Sequence, residues 1–303
     1  MNRRQADFSL LAITLMAGIQ YVFLKNVSNS VSGFAFLFIT NLIGFIICLS
    51  VLGGELYRAT KIQILYSLIL AGLLLGFNLF MLMGASGLDT TVTSFVVTAY
   101  IVFVPLVSLL FGNKIKRCQI VGITIVLFGL VLSMGVNLTG FANSHILYLV
   151  VADVFFSISI VLLEKISARM NPAVLVLGEL FFGSIFALAG WALQDDFHLS
   201  LPSDPGFWSS ALFVAFFIRG MYGIIQIYAQ RYVSAIRVSL IFSTEIIFTL
   251  MLSPVLSFLM GTAAEKVTVS KIIGCGIIVL GVLTADDTVW KFITRRKQEA
   301  DHE

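Results

Sequence analysis

Ten apolar stretches, each long enough to cross a bilayer, fill almost all of this 303-residue chain, and they divide into two sets of five. At 1.5 Å rise per residue, about 18 or more apolar residues span the ~30 Å hydrocarbon layer. The stretches run over 6–24, 33–52, 64–85, 91–112, 119–136, 145–164, 171–193, 208–228, 234–260 and 270–289. Hydrophobic residues make up 59% of the chain and charged residues 12%, too few to cover a water-soluble core of this size. The expected fold is therefore all-α, a polytopic membrane protein. The ninth stretch is long enough to tilt or break, and Pro254 offers a reason for a kink there.

The halves look like copies. A shift of 139 residues lays spans one and two on spans six and seven, bringing Gly44 onto Gly183 and Thr40 onto Glu179. A shift of 145 lays the start of span four on that of span nine, so Tyr100 meets Glu245. Gly122–Gly129 echoes Gly274–Gly281. Five spans per copy force the second to insert upside down, an arrangement used by secondary transporters to build one midplane site. The expected organisation is a first five-helix repeat over 1–142, a second over 143–290 and a basic tail over 291–303.

Charge fixes the orientation. With the N-terminus inside, 15 of the 19 basic residues fall on the cytoplasmic side, and only Lys25, Lys266 and Lys271 fall outside. Arg219 is left near the middle of a span. This bias is the positive-inside rule, and it accounts for the basic tail without nucleic acid. Asp195, Asp196 and Asp204 belong to one outer loop. The N-terminal apolar run lacks a small-residue cleavage site, so it is expected to stay as a span. Cys48, Cys118 and Cys275 show neither metal spacing nor a pairing pattern. No metal or cofactor is expected. The Asn26-Val-Ser and Asn137-Leu-Thr triplets are uninformative.

Several motifs carry a resemblance. Gly87-Leu-Asp-Thr-Thr-Val-Thr-Ser-Phe95 with Tyr100-Ile-Val-Phe-Val-Pro105 resembles the fourth helix of EamA-type members of the drug/metabolite transporter superfamily. Gln119-Ile-Val-Gly122 resembles that family's fifth helix, and Ala229-Gln-Arg-Tyr-Val-Ser-Ala-Ile-Arg237 through Glu245 its ninth. Glu265-Lys-Val-Thr268 through Gly274 is similar to the family's last turn and tenth helix. Asn113 stands where many members carry a turn glutamate, and Ile246 follows Glu245 in place of proline. The resemblance implies a secondary active transporter of a bacterial inner membrane with both termini cytoplasmic. It would export a small metabolite, amino acid-like or another organic solute, by alternating access.

Ionised side chains at the bilayer centre cost about 2.5–3.5 kcal/mol on insertion scales, so each needs a partner, a wet cavity or a function. Asp153, Glu179, Arg219 and Glu245 lie inside spans, all in the second half. Arg219 can attract a substrate carboxylate or phosphate through paired hydrogen bonds, or it can lock helices together through Glu179 or Glu245. The two glutamates are candidates for proton coupling and equally for interhelical hydrogen bonds. Asp153 is expected to be hydrated, near the outer third of span six. Gln20, Asn41, Asn78, Ser94, Thr98 and Tyr100 offer a polar lining in the first half. Tyr222, Gln226, Ser239, Ser243 and Thr244 offer one in the second.

The competing classes lack their signatures. There is no His-Glu-x-x-His, no Gly-x-Ser-x-Gly and no phosphate-binding loop, so neither an enzyme nor an ATP-driven pump is expected. A receptor or scaffold without net transport remains the alternative. The expected partners are a small-molecule substrate, the lipid bilayer, and a proton or counter-substrate for coupling.

Overall fold

The computed structural model describes residues 2–25, 27, 32–88, 90–133, 144–195, 205–259 and 268–285. Outside them lie Asp89, the acids Asp196 and Asp204, Asn26 and Ser28, the Asn137 triplet, Glu265-Lys266-Val267 and the tail over 291–303. Among the described residues the regular structure is entirely helical. Spans one to three are single helices: α1 (Arg3–Lys25), α2 (Gly33–Leu52) and α3 (Lys61–Ala85). A capping box starts α3: the Thr60 hydroxyl accepts from the Gln63 amide, and the Gln63 side chain accepts from the Thr60 amide. Span four is α4 (Thr90–Val97) and α5 (Tyr100–Leu110), and span five is α6 (Arg117–Ser133). Spans six and seven are α7 (Ser144–Ser167) and α8 (Pro172–Asp195). Span eight comprises α9 (Pro205–Phe213), a π-helical stretch (Val214–Tyr222) and α10 (Gly223–Ala229). Span nine is α11 (Ala235–Phe242) and α12 (Glu245–Leu259), and span ten is α13 (Val269–Thr284). Eight of these segments are long and apolar enough to cross a membrane; α6 and α13 are shorter apolar helices.

Spans four and nine are both broken, at Thr98–Ala99 and at Ser243–Thr244. The 145-residue shift that pairs Tyr100 with Glu245 superposes the two breaks. The cause is local. Thr98 Oγ1 donates to the Ser94 carbonyl, and Ser243 and Thr244 hydroxyls donate to the Leu240 and Ile241 carbonyls. Hydroxyls bonded back in this way compete for the acceptors of the helix ladder. The backbone there tightens to three-residue steps, with Ala99 N–H on Val96, Ile101 on Thr98, Thr244 on Ile241 and Ile247 on Thr244. Pro254 lies within α12, past the break. The break coincides with the serine–threonine pair, ten residues before the proline.

Packing between the halves is reciprocal. Span three packs on spans six and seven, as span eight packs on one and two; span four packs on six, as nine packs on one. Spans two and seven pack on each other, as do five and ten. Individual contacts follow the same exchange. The Gly18 Cα lies against the Glu245 carbonyl, and the Ser157 hydroxyl donates to the Tyr100 carbonyl; the shifts of 139 and 145 convert one pair into the other. Where α6 crosses α13, Gly122 meets Gly281 and Gly129 meets Gly274, an antiparallel contact that maps onto itself. Absent side chains let the two backbones touch there.

Candidate functional site

The cross-packed helices leave a chamber in the middle of the bundle. It is lined by Gln20 and Tyr21 of α1, Phe77 and Asn78 of α3, and Tyr100 at the start of α5. Phe156, Glu179, Arg219, Tyr222, Gln226 and Glu245 complete it from the second half. The cavity is small, ≈ 80 Å³. That is room for several waters, and a larger solute needs the helices to part.

Glu245 is the junction of three helices. It opens α12 immediately after the break, is 5% exposed, accepts a hydrogen bond from Tyr21 Oη at 3.2 Å, and lies 3.3 Å from Thr98 Oγ1, whose single proton is shared with the Ser94 carbonyl. One carboxylate thus joins span one, the break of span four and the break of span nine. One turn further along α12, Thr249 Oγ1 donates to the Gly18 carbonyl at 3.2 Å, closing α12 onto α1.

Arg219 and Glu179 hold the other end of the chamber. Arg219 sits in the π-helical stretch of span eight, a widened turn often found at functional positions. It interacts electrostatically with Glu179 across the chamber, yet no direct ion pair closes between them among the described residues, and its Nε is buried with no hydrogen-bond partner. The expected alternative of a helix lock is not what these atoms form. Both residues are part-exposed to the chamber, so guanidinium and carboxylate face an open gap that water or a ligand can bridge. Asn41 and Asn78 border that gap beside them.

Of the sequence candidates, Gln20, Asn78, Tyr100, Glu179, Arg219, Tyr222, Gln226 and Glu245 line the chamber. Thr98 reaches it through its bond to Glu245. Thr244 does not: it faces a second, larger cavity that opens at the end of the bundle carrying the N-terminus, with Arg3, Arg4, Lys114, Lys116 and Arg237 at its rim. The one-residue step from Thr244 to Glu245 at the break turns the side chains to opposite cavities. Asp153, expected to be hydrated, is 0% exposed, and neither carboxylate oxygen has a hydrogen-bond partner. Ser94, Ser239 and Ser243 are buried away from the chamber, the latter two bonded to their own helix. Sequence reasoning missed Tyr21, whose hydroxyl is the nearest donor to Glu245. Its signal was adjacency to Gln20 and one-turn spacing from Gly18. No group of three or more metal-ligating residues occurs among the described residues.

The sequence model of the EamA-like transporter family matches the chain twice, over residues 4–135 and 143–285. No curated protein matches it. Among solved structures 28 chains match. One of them, titled only "Crystal structure of protein", is 17% identical, with a TM-score of 0.68, covering 96% of this chain and 98% of its own. At that identity the likeness speaks to the fold alone.

Proposed function

Because the chain belongs to the EamA-like transporter family, an integral membrane protein family of transporters, we propose that it is a secondary active transporter that exports a small organic solute by alternating access. The solute, amino acid-like or a related metabolite, occupies the chamber between Glu245 and Arg219. The observation that carries this reading is the placing of that chamber. It lies where the equivalent broken helices of the two halves meet, with a cation and two carboxylates turned into it.

The reciprocal packing supports two inverted repeats, residues 1–142 and 143–290, followed by the basic tail over 291–303. Each repeat contributes one broken helix to the chamber, so rocking one repeat against the other exposes the same side chains to either face. The cavity ending at Thr244 supplies a path from the N-terminal face. The junction of Tyr21, Thr98 and Glu245 closes that path from the chamber. Charge bias supports an orientation with both termini cytoplasmic in a bacterial inner membrane. A proton on Glu245 or Glu179, or a counter-solute, couples the cycle.

Purified protein in proteoliposomes, screened with labelled amino acids and other organic solutes under imposed pH gradients and in exchange mode, tests the proposal. Saturable flux lost in Arg219→Ala is the expected result. Absence of flux for every solute in both modes, from protein that stays folded, overturns it in favour of a receptor or scaffold.

A further inference from the structure

Asp153 has no place in the scheme above. Its side chain is wholly buried within a membrane helix, and neither oxygen accepts a hydrogen bond. An ionised carboxylate in that state is costly, and native structures seldom leave such a group without a reason. The surroundings raise the cost. Glu245 of α12 is near enough to Asp153 to repel it electrostatically.

The position is constrained from α7. Ser157, one turn along the same face, donates to the Tyr100 carbonyl at the break of span four. Phe156 packs edge-on against the Tyr100 ring at 5.2 Å. Asp153 therefore lies one turn from the break, beside the end of α4. The Tyr100 hydroxyl, 1% exposed, also lacks a hydrogen-bond partner. Two unpartnered oxygen-bearing side chains, Asp153 and Tyr100, thus flank the same break, and the Glu245 carboxylate is within electrostatic reach of both.

Among the described residues no positive side chain answers them. The titratable groups in electrostatic reach of Asp153 are Glu245, Tyr21 of α1 and Tyr100 of α5. Arg219 interacts with Glu179 instead. Among the other elements packed on α7, α3 carries its single charge, Lys61, at its far end, while α4 and α10 carry none. Arg237 of α11 is held in a bidentate ion pair by Asp7 at 2.8 and 2.9 Å.

We propose that Asp153, Glu245 and the Tyr100 hydroxyl form a binding site for a monovalent cation, sodium or the proton, distinct from the Arg219–Glu179 end of the chamber. Oxygen ligands suit either occupant, and a cation there satisfies the orphaned groups that no side chain serves. Its use for coupling rests on the transport reading; its existence does not. Glu245 belongs to both the site and the closure with Tyr21 and Thr98, so cation occupancy bears directly on the contact between spans one, four and nine.

The test needs no solute. Thermal unfolding of the purified full-length protein is followed in sodium chloride against choline chloride at equal ionic strength, at several pH values between about 5.5 and 8.5. The site predicts a melting temperature that rises with sodium, or with falling pH in choline, and the two arms identify the occupant. Asp153→Asn keeps the shape, removes the charge and is expected to abolish that dependence. Tyr100→Phe, which keeps the packing against Phe156, is expected to weaken it. If wild type responds to neither cation, or if Asp153→Asn responds as wild type does, the site is refuted. A cation response without solute flux would retain this site and remove the transport proposal.

Discussion

Two glycines in one helix should respond oppositely to the same added methyl group. A Cβ built on Gly274 of α13 stands 2.6 Å from the Gly129 carbonyl oxygen of α6 and runs into the Ser133 side chain, whereas one built on Gly276 meets nothing within 4 Å. Ordinary contact begins near 3.4 Å, so Gly274→Ala must push α6 and α13 apart by roughly 0.8 Å or rotate them. Overpacking of this kind costs about 1–3 kcal/mol, and contact with both backbone and side chain places it near the upper end. Replacing glycine by alanine within a helix returns about 1 kcal/mol. Gly274→Ala should therefore lose about 2 kcal/mol, and Gly276→Ala should gain up to about 1 kcal/mol. Gly129→Ala, at the same crossing but with its nearest contacts at 2.9 Å, should lose less than Gly274→Ala. The double variant should cost less than the two singles together, since one separation of the helices accommodates both methyls. Reversible unfolding in mixed micelles measures all four. Equal shifts for Gly274→Ala and Gly276→Ala would refute the close backbone crossing, and with it the strongest reciprocal contact between the halves.

Other outcomes follow from the chamber. Glu245→Gln keeps an acceptor for the Tyr21 and Thr98 hydroxyls, whose 3.2–3.3 Å bonds are long. Stability should change by under about 1 kcal/mol, while gradient-driven flux is lost; a normal pH-driven flux in this variant would remove Glu245 from coupling. Arg219→Lys retains charge but not the planar fork, so binding of a carboxylate-bearing solute should fall at least about tenfold by isothermal titration. Tyr21→Phe with Thr98→Val frees Glu245 from both neighbours, and should raise the rate at which a cysteine at position 20 or 226, inside the chamber, reacts with a soluble thiol reagent. An unchanged rate argues against a closure at that point.

The membrane-spanning helices and their pairing into halves were legible because each rests on a strong signal: long apolar runs, and glycines recurring in register. The charged members of the chamber were legible for a related reason, since Glu179, Arg219 and Glu245 stand out in apolar surroundings. Rotation was not legible. Thr244 and Glu245 are neighbours in sequence and face different cavities because the helix breaks between them, and apolar flanks on every side give no face to read. Span nine breaks at Ser243–Thr244, where two hydroxyls bond back to carbonyls, while Pro254 lies further on within α12. The place of Asp153 along span six points to a hydrated carboxylate, and it is wholly buried. Its burial depends on α4 and α5 closing over it, a tertiary contact with no local signature.

The account turns on one chamber reached from each face of the membrane in turn. Single cysteines at Gln20 and Gln226, which line it from opposite halves, can be placed in a background with Cys48, Cys118 and Cys275 replaced by serine. Labelling with a membrane-impermeant thiol reagent, in right-side-out and inside-out vesicles, reports access directly. Both positions should label from both sides, because the same side chains line the chamber in each state. Labelling of both positions from one side only, or from neither, would contradict it.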